Sequence, residues 1–185
     1  IHGIGGLLPY PALVWQLAKR HRGPVLLPLV PQGGLDALPS SRSAARAIAT
    51  ADFVDAVAAL TERHAAAGAA PVAAFAAHSL GTAYLAAVQK ARPELVAAAS
   101  FLDPICFLLH ERDVVTNCLY AAPRLTRRTW FHWVQSTFVA REPTVQDCLR
   151  RQFWWSHFEL PASQLSSPTA VHLSSADTVC EPAAV

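Results

Sequence analysis

Methionine is absent from this sequence of 185 residues, and charged side chains are scarce. Asp, Glu, Lys and Arg make up only 15% of the chain, and the formal net charge is +2 with neutral histidines. Such a small charge gives no indication of a nucleic-acid partner. No run of eighteen or more consecutive apolar residues occurs, because Asp103 and Pro104 interrupt the nearest candidate, 96–109. A membrane-spanning helix is therefore not expected.

The first residues are Ile1, His2 and Gly3, with neither an initiating methionine nor a signal-peptide pattern. We expect the sequence to be an internal part of a longer protein, whose remaining segments carry any targeting information. Its compartment is therefore unknown.

Sequence patterns for a metal or cofactor are also missing. The four cysteines lack CxxC spacing and lack histidines at ligand spacing, so buried free thiols are favoured over disulfides or a metal site; they are Cys106, Cys118, Cys148 and Cys180. His110 and Glu111 with Asp113 fit a solvated turn better than a metal site. Neither a P-loop nor a GxGxxG fingerprint is present. We expect no metal and no cofactor.

Hydrophobic residues account for 52% of the chain, which can bury the core of one domain spanning residues 1–185. Short apolar runs alternate with amphipathic ones, a pattern typical of an α/β fold with a mostly parallel sheet flanked by helices. The predicted strands are 25–30, 71–76, 96–102 and 169–174. The predicted helices are 11–20, 44–67 and 82–91, with Gly68 placed to end the second.

Residues 106–168 form an insertion of different composition between the last two predicted strands. Four of the five tryptophans and several arginines lie in it. We interpret this segment as a mostly helical lid. Its aromatic residues fit a core first; if some are exposed, they would suit an acyl chain or peripheral contact with a lipid surface, with arginines near anionic head groups.

Ser79 carries the strongest chemical signal. An apolar strand leads directly into His78-Ser79-Leu80-Gly81, and a helix follows at once, which is the context of a nucleophile elbow. Small residues are needed two positions on either side of such a serine. Gly81 meets this need, whereas Ala77 replaces the usual glycine on the other side. The alternative is that Ser79 only caps the helix, but capping does not explain the small neighbours.

The opening His2-Gly3-Ile4-Gly5-Gly6 predicts a glycine-rich turn before the first helix. Two backbone N–H donors would form an oxyanion hole with Ser79. The candidates are the amides of Ile4 and Leu80. An ordinary glycine-rich turn is the alternative.

Taken together, HGIGG, AHSLG and a strand followed by Ser-Ala-Asp-Thr-Val resemble the α/β-hydrolase superfamily over nearly the whole chain, with 106–168 at the place of the variable lid. The resemblance implies a three-layer fold in which Ile1 ends a strand and two earlier strands lie outside the sequence. It also implies a serine nucleophile, followed along the chain by an acid and then a histidine.

Two residues compete for the role of the acid. Asp177 follows the last predicted strand and is the preferred candidate, and Asp103 follows the previous strand and is the alternative. No histidine occurs after Asp177, so we expect the base to lie outside these residues. His132 and His157 in the lid could reach Ser79 only by an unusual route.

The sequence therefore predicts a lipase-like hydrolase of carboxylic esters, with a small ester or lipid as substrate. We expect residues 1–185 alone to be inactive. The alternatives are a hydrolase-like binding module without catalysis, which would dock partners through the lid, and an acyltransferase that uses the same serine. The oligomeric state is not indicated.

Overall fold

The computed structural model of the chain describes residues 1–30, 48–120, 126, 130–175, 177, 179 and 180, without the side chains of Phe131, His132, Gln135 and Thr144. In these residues, short parallel strands alternate with helices. The order is α1 Pro11–Arg20, α2 Thr50–His64, β1 Ala73–His78, α3 Leu80–Ala91, β2 Val96–Leu102, α4 Arg112–Leu119, α5 Trp130–Gln135, α6 Pro143–Asp147, α7 Trp155–Phe158 and β3 Thr169–His172.

The three strands form one parallel sheet in the order β1-β2-β3. Ile1 lies along the free edge of β1, since its amino group donates to the carbonyl of Ala76 at 2.6 Å and the His78 N–H donates to its carbonyl at 3.2 Å. Parallel strands all end at the same edge of a sheet. The segments that follow Ile1, β1, β2 and β3 therefore meet at one edge, which is where the site residues lie.

One face of the sheet is buried by helices. Ala77 and Phe101 pair across β1 and β2 and are 1% and 0% exposed, and α3 packs on both strands. The ring of Tyr84 on α3 contacts that of Phe53 on α2, with centroids 4.8 Å apart, so α2 is tied to the same core. On the opposite face Ala76 is exposed. The α/β class and the parallel sheet are confirmed, whereas the three-layer arrangement stays a prediction.

Most predicted elements are present with shifted ends. Helix α1 and strand β2 have the predicted bounds, but α2 begins at Thr50, and residues 44–47 lie outside the described residues. The predicted strand 25–30 is wrong, because no strand is present there. Pro28 has no N–H to donate to a ladder, and Leu27 and Leu29 are 40% and 54% exposed. Only Val30 of this run is buried.

The segment between β2 and β3 is mostly helical in its described residues, and its last part belongs to the main core. Phe158 packs on Tyr84 with ring centroids 5.4 Å apart and stacks on Phe153 at 4.3 Å. Other aromatic side chains of the segment face solvent, including Phe138 at 64% and Trp154 at 67% exposed. The aromatic content therefore divides between core and surface. The role of the segment as a lid stays a prediction.

No helix in the described ranges is both long and apolar enough to cross a membrane. The four cysteines are free, as predicted; Cys106, Cys148 and Cys180 are buried and Cys118 is half-buried. Burial raises the pKa of Cys106 to about 12, so this thiol stays protonated at neutral pH. The described residues contain no group of three or more potential metal ligands.

Candidate functional site

Ser79 is the single residue between β1 and α3, and its backbone is held in a left-handed conformation with φ of 51° and ψ of −123°. An L-residue adopts this region only when its surroundings impose it, at a cost of about 1–3 kcal/mol. Here the Ser79 N–H donates to the carbonyl of Leu102 on β2 at 3.0 Å. The Ser79 carbonyl accepts from the N–H of Thr82 at 2.9 Å and from its hydroxyl at 2.6 Å.

These contacts anchor both ends of the turn at Ser79. The residue is half-buried, and its hydroxyl makes no hydrogen bond with the described part of the chain. Helix-capping, the alternative reading of this serine, is not observed, because its side chain makes no cap hydrogen bond to α3. The hydroxyl is thus left available for another partner.

The turn from His78 to Gly81, called the elbow below, has no room for a side chain at Gly81. A Cβ atom built there would lie 2.5 Å from the carbonyl oxygens of both Ile1 and His2. The Ile1 oxygen cannot retreat freely, since it accepts the N–H of His78. On the other side of the serine, Ala77 is fully packed in place of glycine, so one methyl group is accommodated there.

Gly81→Ala should therefore destabilise the protein by about 1–3 kcal/mol through overpacking. Helix propensity alone predicts the opposite sign, a gain of about 1 kcal/mol for alanine in α3. The free energy of unfolding in urea distinguishes the two. Gly23→Ala is the control, because its Cβ would meet only the movable ring of His21, with Nε2 at 3.1 Å. A stabilised Gly81→Ala variant would refute the close approach.

The glycine-rich turn lies against the elbow. A Cβ on Gly3 would be 3.0 Å from the Cβ of Ser79, so an added methyl group would crowd the serine. Gly5 and Gly6 have positive φ angles of 102° and 64°, which glycine adopts without strain. The backbone N–H groups of Ile4 and Leu80 donate to no acceptor in the described residues. Leu80 opens α3, where helix amides point outward without intrahelical partners.

Thr82 holds the elbow in place through its buried hydroxyl. Its side chain is fully buried; its hydroxyl donates to the Ser79 carbonyl and accepts the N–H of Ile105 at 3.2 Å. It thus joins the elbow to the chain that leaves β2. Sequence reasoning missed this residue, because its second partner is 23 positions away.

Thr82→Val keeps the shape but leaves the Ile105 N–H without its acceptor, so we expect a loss of about 1–3 kcal/mol of stability. Thr61→Val is the matched control. Thr61 is also buried, but its hydroxyl only donates to the carbonyl of Val57 within α2, so its loss should cost under about 1 kcal/mol. Urea unfolding of both variants gives the comparison, and equal losses would contradict the role of Thr82.

Both candidate acids lie beyond the carboxyl ends of their strands. Asp103 follows β2 with φ of 44°, and its Oδ1 accepts the N–H of Ser174 at 2.5 Å. Its Oδ2 lies 3.7 Å from Nε2 of His78. Asp177 lies in the loop after β3, and its Oδ1 accepts the N–H of Val179 at 2.8 Å. The carboxylate of Asp103 is thus committed to two neighbours, while only one oxygen of Asp177 has a described partner.

The ring of His78, the residue before the serine, contacts Tyr10 and Asp103. Its Nδ1 lies 2.5 Å from the hydroxyl of Tyr10, and its Nε2 faces Asp103. Burial lowers the pKa of this imidazole, against the smaller opposing effects of Asp103 and Asp177. The neutral ring therefore holds its place by hydrogen bonding and does not contact the Ser79 hydroxyl.

No histidine side chain among the described ones hydrogen-bonds to Ser79. His2 is buried, and its Nε2 accepts the N–H of Val30 at 2.9 Å. His172 lies in β3, where it pairs with Leu102 of β2. His157 lies in α7 beside Trp154, and the side chain of His132 lies outside the described part. A base for the serine is thus not supplied by the described residues.

Comparison with known proteins adds no relative. No family model, curated protein or solved structure matches the chain significantly. The case for function therefore depends on the local geometry around Ser79.

Proposed function

We propose that the chain is part of a serine hydrolase of the α/β-hydrolase superfamily that acts on carboxylic esters, including lipid or acyl substrates. One observation carries the proposal. Ser79 occupies a strained left-handed turn between a strand and a helix, and the backbone approaches closely at Gly3 and Gly81 on its two sides. Strain of this kind persists where the position of a side chain matters for function.

In the proposed reaction, Ser79 Oγ attacks the ester carbonyl carbon, and a histidine takes its proton. The carbonyl oxygen becomes an oxyanion that accepts hydrogen bonds from the N–H groups of Ile4 and Leu80. Collapse of this intermediate expels the alcohol, which receives the proton from the histidine, and water then hydrolyses the acyl-enzyme. The unpaired state of both amides and the contact of Gly3 with Ser79 support this assignment.

We propose that the histidine lies outside the given residues; no described histidine side chain hydrogen-bonds to Ser79. Asp177 is proposed as the acid that orients it, with Asp103 as the alternative. Asp103 has a second role available, because its hydrogen bond to Ser174 and its contact with His78 brace the end of β2. That leaves the Asp177 carboxylate as the better candidate to accept from an incoming imidazole.

The segment 106–168 is proposed as the lid over this site, within a three-layer fold. Val139 supports this position, since its Cγ1 lies 3.6 Å from where a Cβ of Gly5 would be. The exposed Phe138 and Trp154 provide apolar surface suited to an acyl chain or a lipid surface. Arg150 and Arg151 are exposed in the same segment and suit anionic head groups.

Labelling with a fluorophosphonate, followed by peptide mapping, tests the proposal. Fluorophosphonates react with serines activated as nucleophiles, so the full-length protein should carry the phosphonyl group on Ser79 alone. Label on another serine, or no label at all, would overturn the assignment. Turnover of esters with and without an alcohol acceptor then separates hydrolysis from acyl transfer.

A further inference from the structure

Tyr10 contacts the glycine-rich turn, a contact that the sequence pattern does not predict. It precedes α1, and its hydroxyl oxygen accepts the N–H of Gly3 at 3.1 Å. The same hydroxyl lies 2.5 Å from Nδ1 of His78, and the two rings meet edge to face at 5.5 Å. One phenol thus joins the turn to the residue that precedes Ser79.

The direction of each hydrogen bond follows from chemistry. The Tyr10 oxygen accepts from Gly3, which leaves its own proton for Nδ1 of the neutral His78. The remaining imidazole proton then lies on Nε2, toward Asp103. Burial raises the pKa of Tyr10, so the phenol keeps this proton at neutral pH. The two hydrogen bonds from Gly3 through Tyr10 to His78 are therefore consistent in donor and acceptor, and the Nε2 proton of His78 points toward Asp103 Oδ2, 3.7 Å away.

His2 holds the other side of Gly3. Because Nε2 of His2 accepts from Val30, its Nδ1 carries the proton and donates to the Gly3 carbonyl at 2.8 Å. In a trans peptide the C=O and N–H point in opposite directions. Fixing the Gly3 carbonyl on His2 therefore fixes the direction of the Ile4 N–H in the same peptide unit.

We propose that Tyr10 and His2 are positioning residues of the oxyanion hole. They hold the two peptide units on either side of Gly3, so that the Ile4 N–H stays directed at the carbonyl oxygen of a substrate on Ser79. The turn needs such anchors, because Gly3, Gly5 and Gly6 offer no side chains that could pack. The inference depends on the proposed function, since it assigns a purpose to the same turn.

Tyr10→Phe in the full-length protein is the test, because it removes only the hydroxyl. Loss of an entire oxyanion-hole donor costs about 10²–10³-fold in rate, so loosening one should cost about 10-fold. We expect kcat and the rate of Ser79 phosphonylation to fall together by about that factor, with KM unchanged. Hydrogen exchange at the Gly3 amide should become faster. A merely structural tyrosine would lower the melting temperature without changing kcat measured well below it.

Tyr120→Phe is the matched control, because this tyrosine is 62% exposed and lies under the guanidinium of Arg150, far along the sequence from the turn. It should keep wild-type kcat and exchange rates. A Tyr10→Phe variant with wild-type kcat would overturn the role of Tyr10 while leaving the hydrolase intact. A wild-type protein that does not react at Ser79 would instead overturn the proposed function.

Discussion

Replacing Ser79 by alanine should abolish fluorophosphonate labelling of the full-length protein and reduce ester turnover to background. The alanine side chain has no oxygen to attack the carbonyl or the phosphorus, so the covalent step is lost entirely. Gel fluorescence and an ester assay measure the two losses independently.

The fold should survive this change, which makes the result interpretable. The elbow is held by backbone groups and by Thr82, and none of these bonds uses the serine hydroxyl. We expect the stability of Ser79→Ala to stay within about 0.5 kcal/mol of wild type. Ser100→Ala is the matched control, since Ser100 is half-buried on the adjacent strand and should label normally when mutated. Persistent labelling of Ser79→Ala would refute the nucleophile assignment.

Much of the fold could be predicted from local pattern. Helix α1 begins at Pro11, a residue favoured in the first helical turn, and strand β2 is a short apolar run, so both ends agree with prediction. The prediction at 25–30 was wrong because a run of apolar residues says nothing about which strand it would pair with. Without a pairing partner in the described residues, the Val25–Val30 run stays irregular and half-exposed.

In the candidate site too, the sequence predicts what is local, while the rest depends on the fold. Ser79, Leu80 and Gly81 are adjacent in sequence, so one motif predicts their arrangement. The approach of Gly3 to Ser79 joins residues 76 positions apart, so its geometry depends on the fold. Tyr10 gave no signal, because a tyrosine before a helix is unremarkable in sequence. Its role follows from a hydrogen bond to His78 that only the fold creates.

Asp177→Asn should lower kcat by about 10⁴-fold, the loss seen when the acid of a serine triad becomes an amide. An asparagine offers its amide N–H₂ as well as a carbonyl, so it no longer stabilises the protonated histidine and favours the wrong tautomer. Labelling by the fluorophosphonate should slow in proportion. Asp177 keeps one carboxylate oxygen without a described partner, which is the oxygen we expect to accept from the histidine.

Asp103→Asn should have the opposite effect in the same assays, with a loss of stability and little change in kcat. Its oxygens are used by the Ser174 N–H and by the neighbouring His78, so the change should act mainly on the loops at the end of β2. The asparagine carbonyl can still accept from Ser174 but without the charge of the carboxylate, so we expect the free energy of unfolding to fall by about 1 kcal/mol and kcat to stay within about 10-fold of wild type. If kcat instead falls about 10⁴-fold in Asp103→Asn and Asp177→Asn stays active, the acid is Asp103. The Asp103 carboxylate would then both hold the loops at the end of β2 and orient the base.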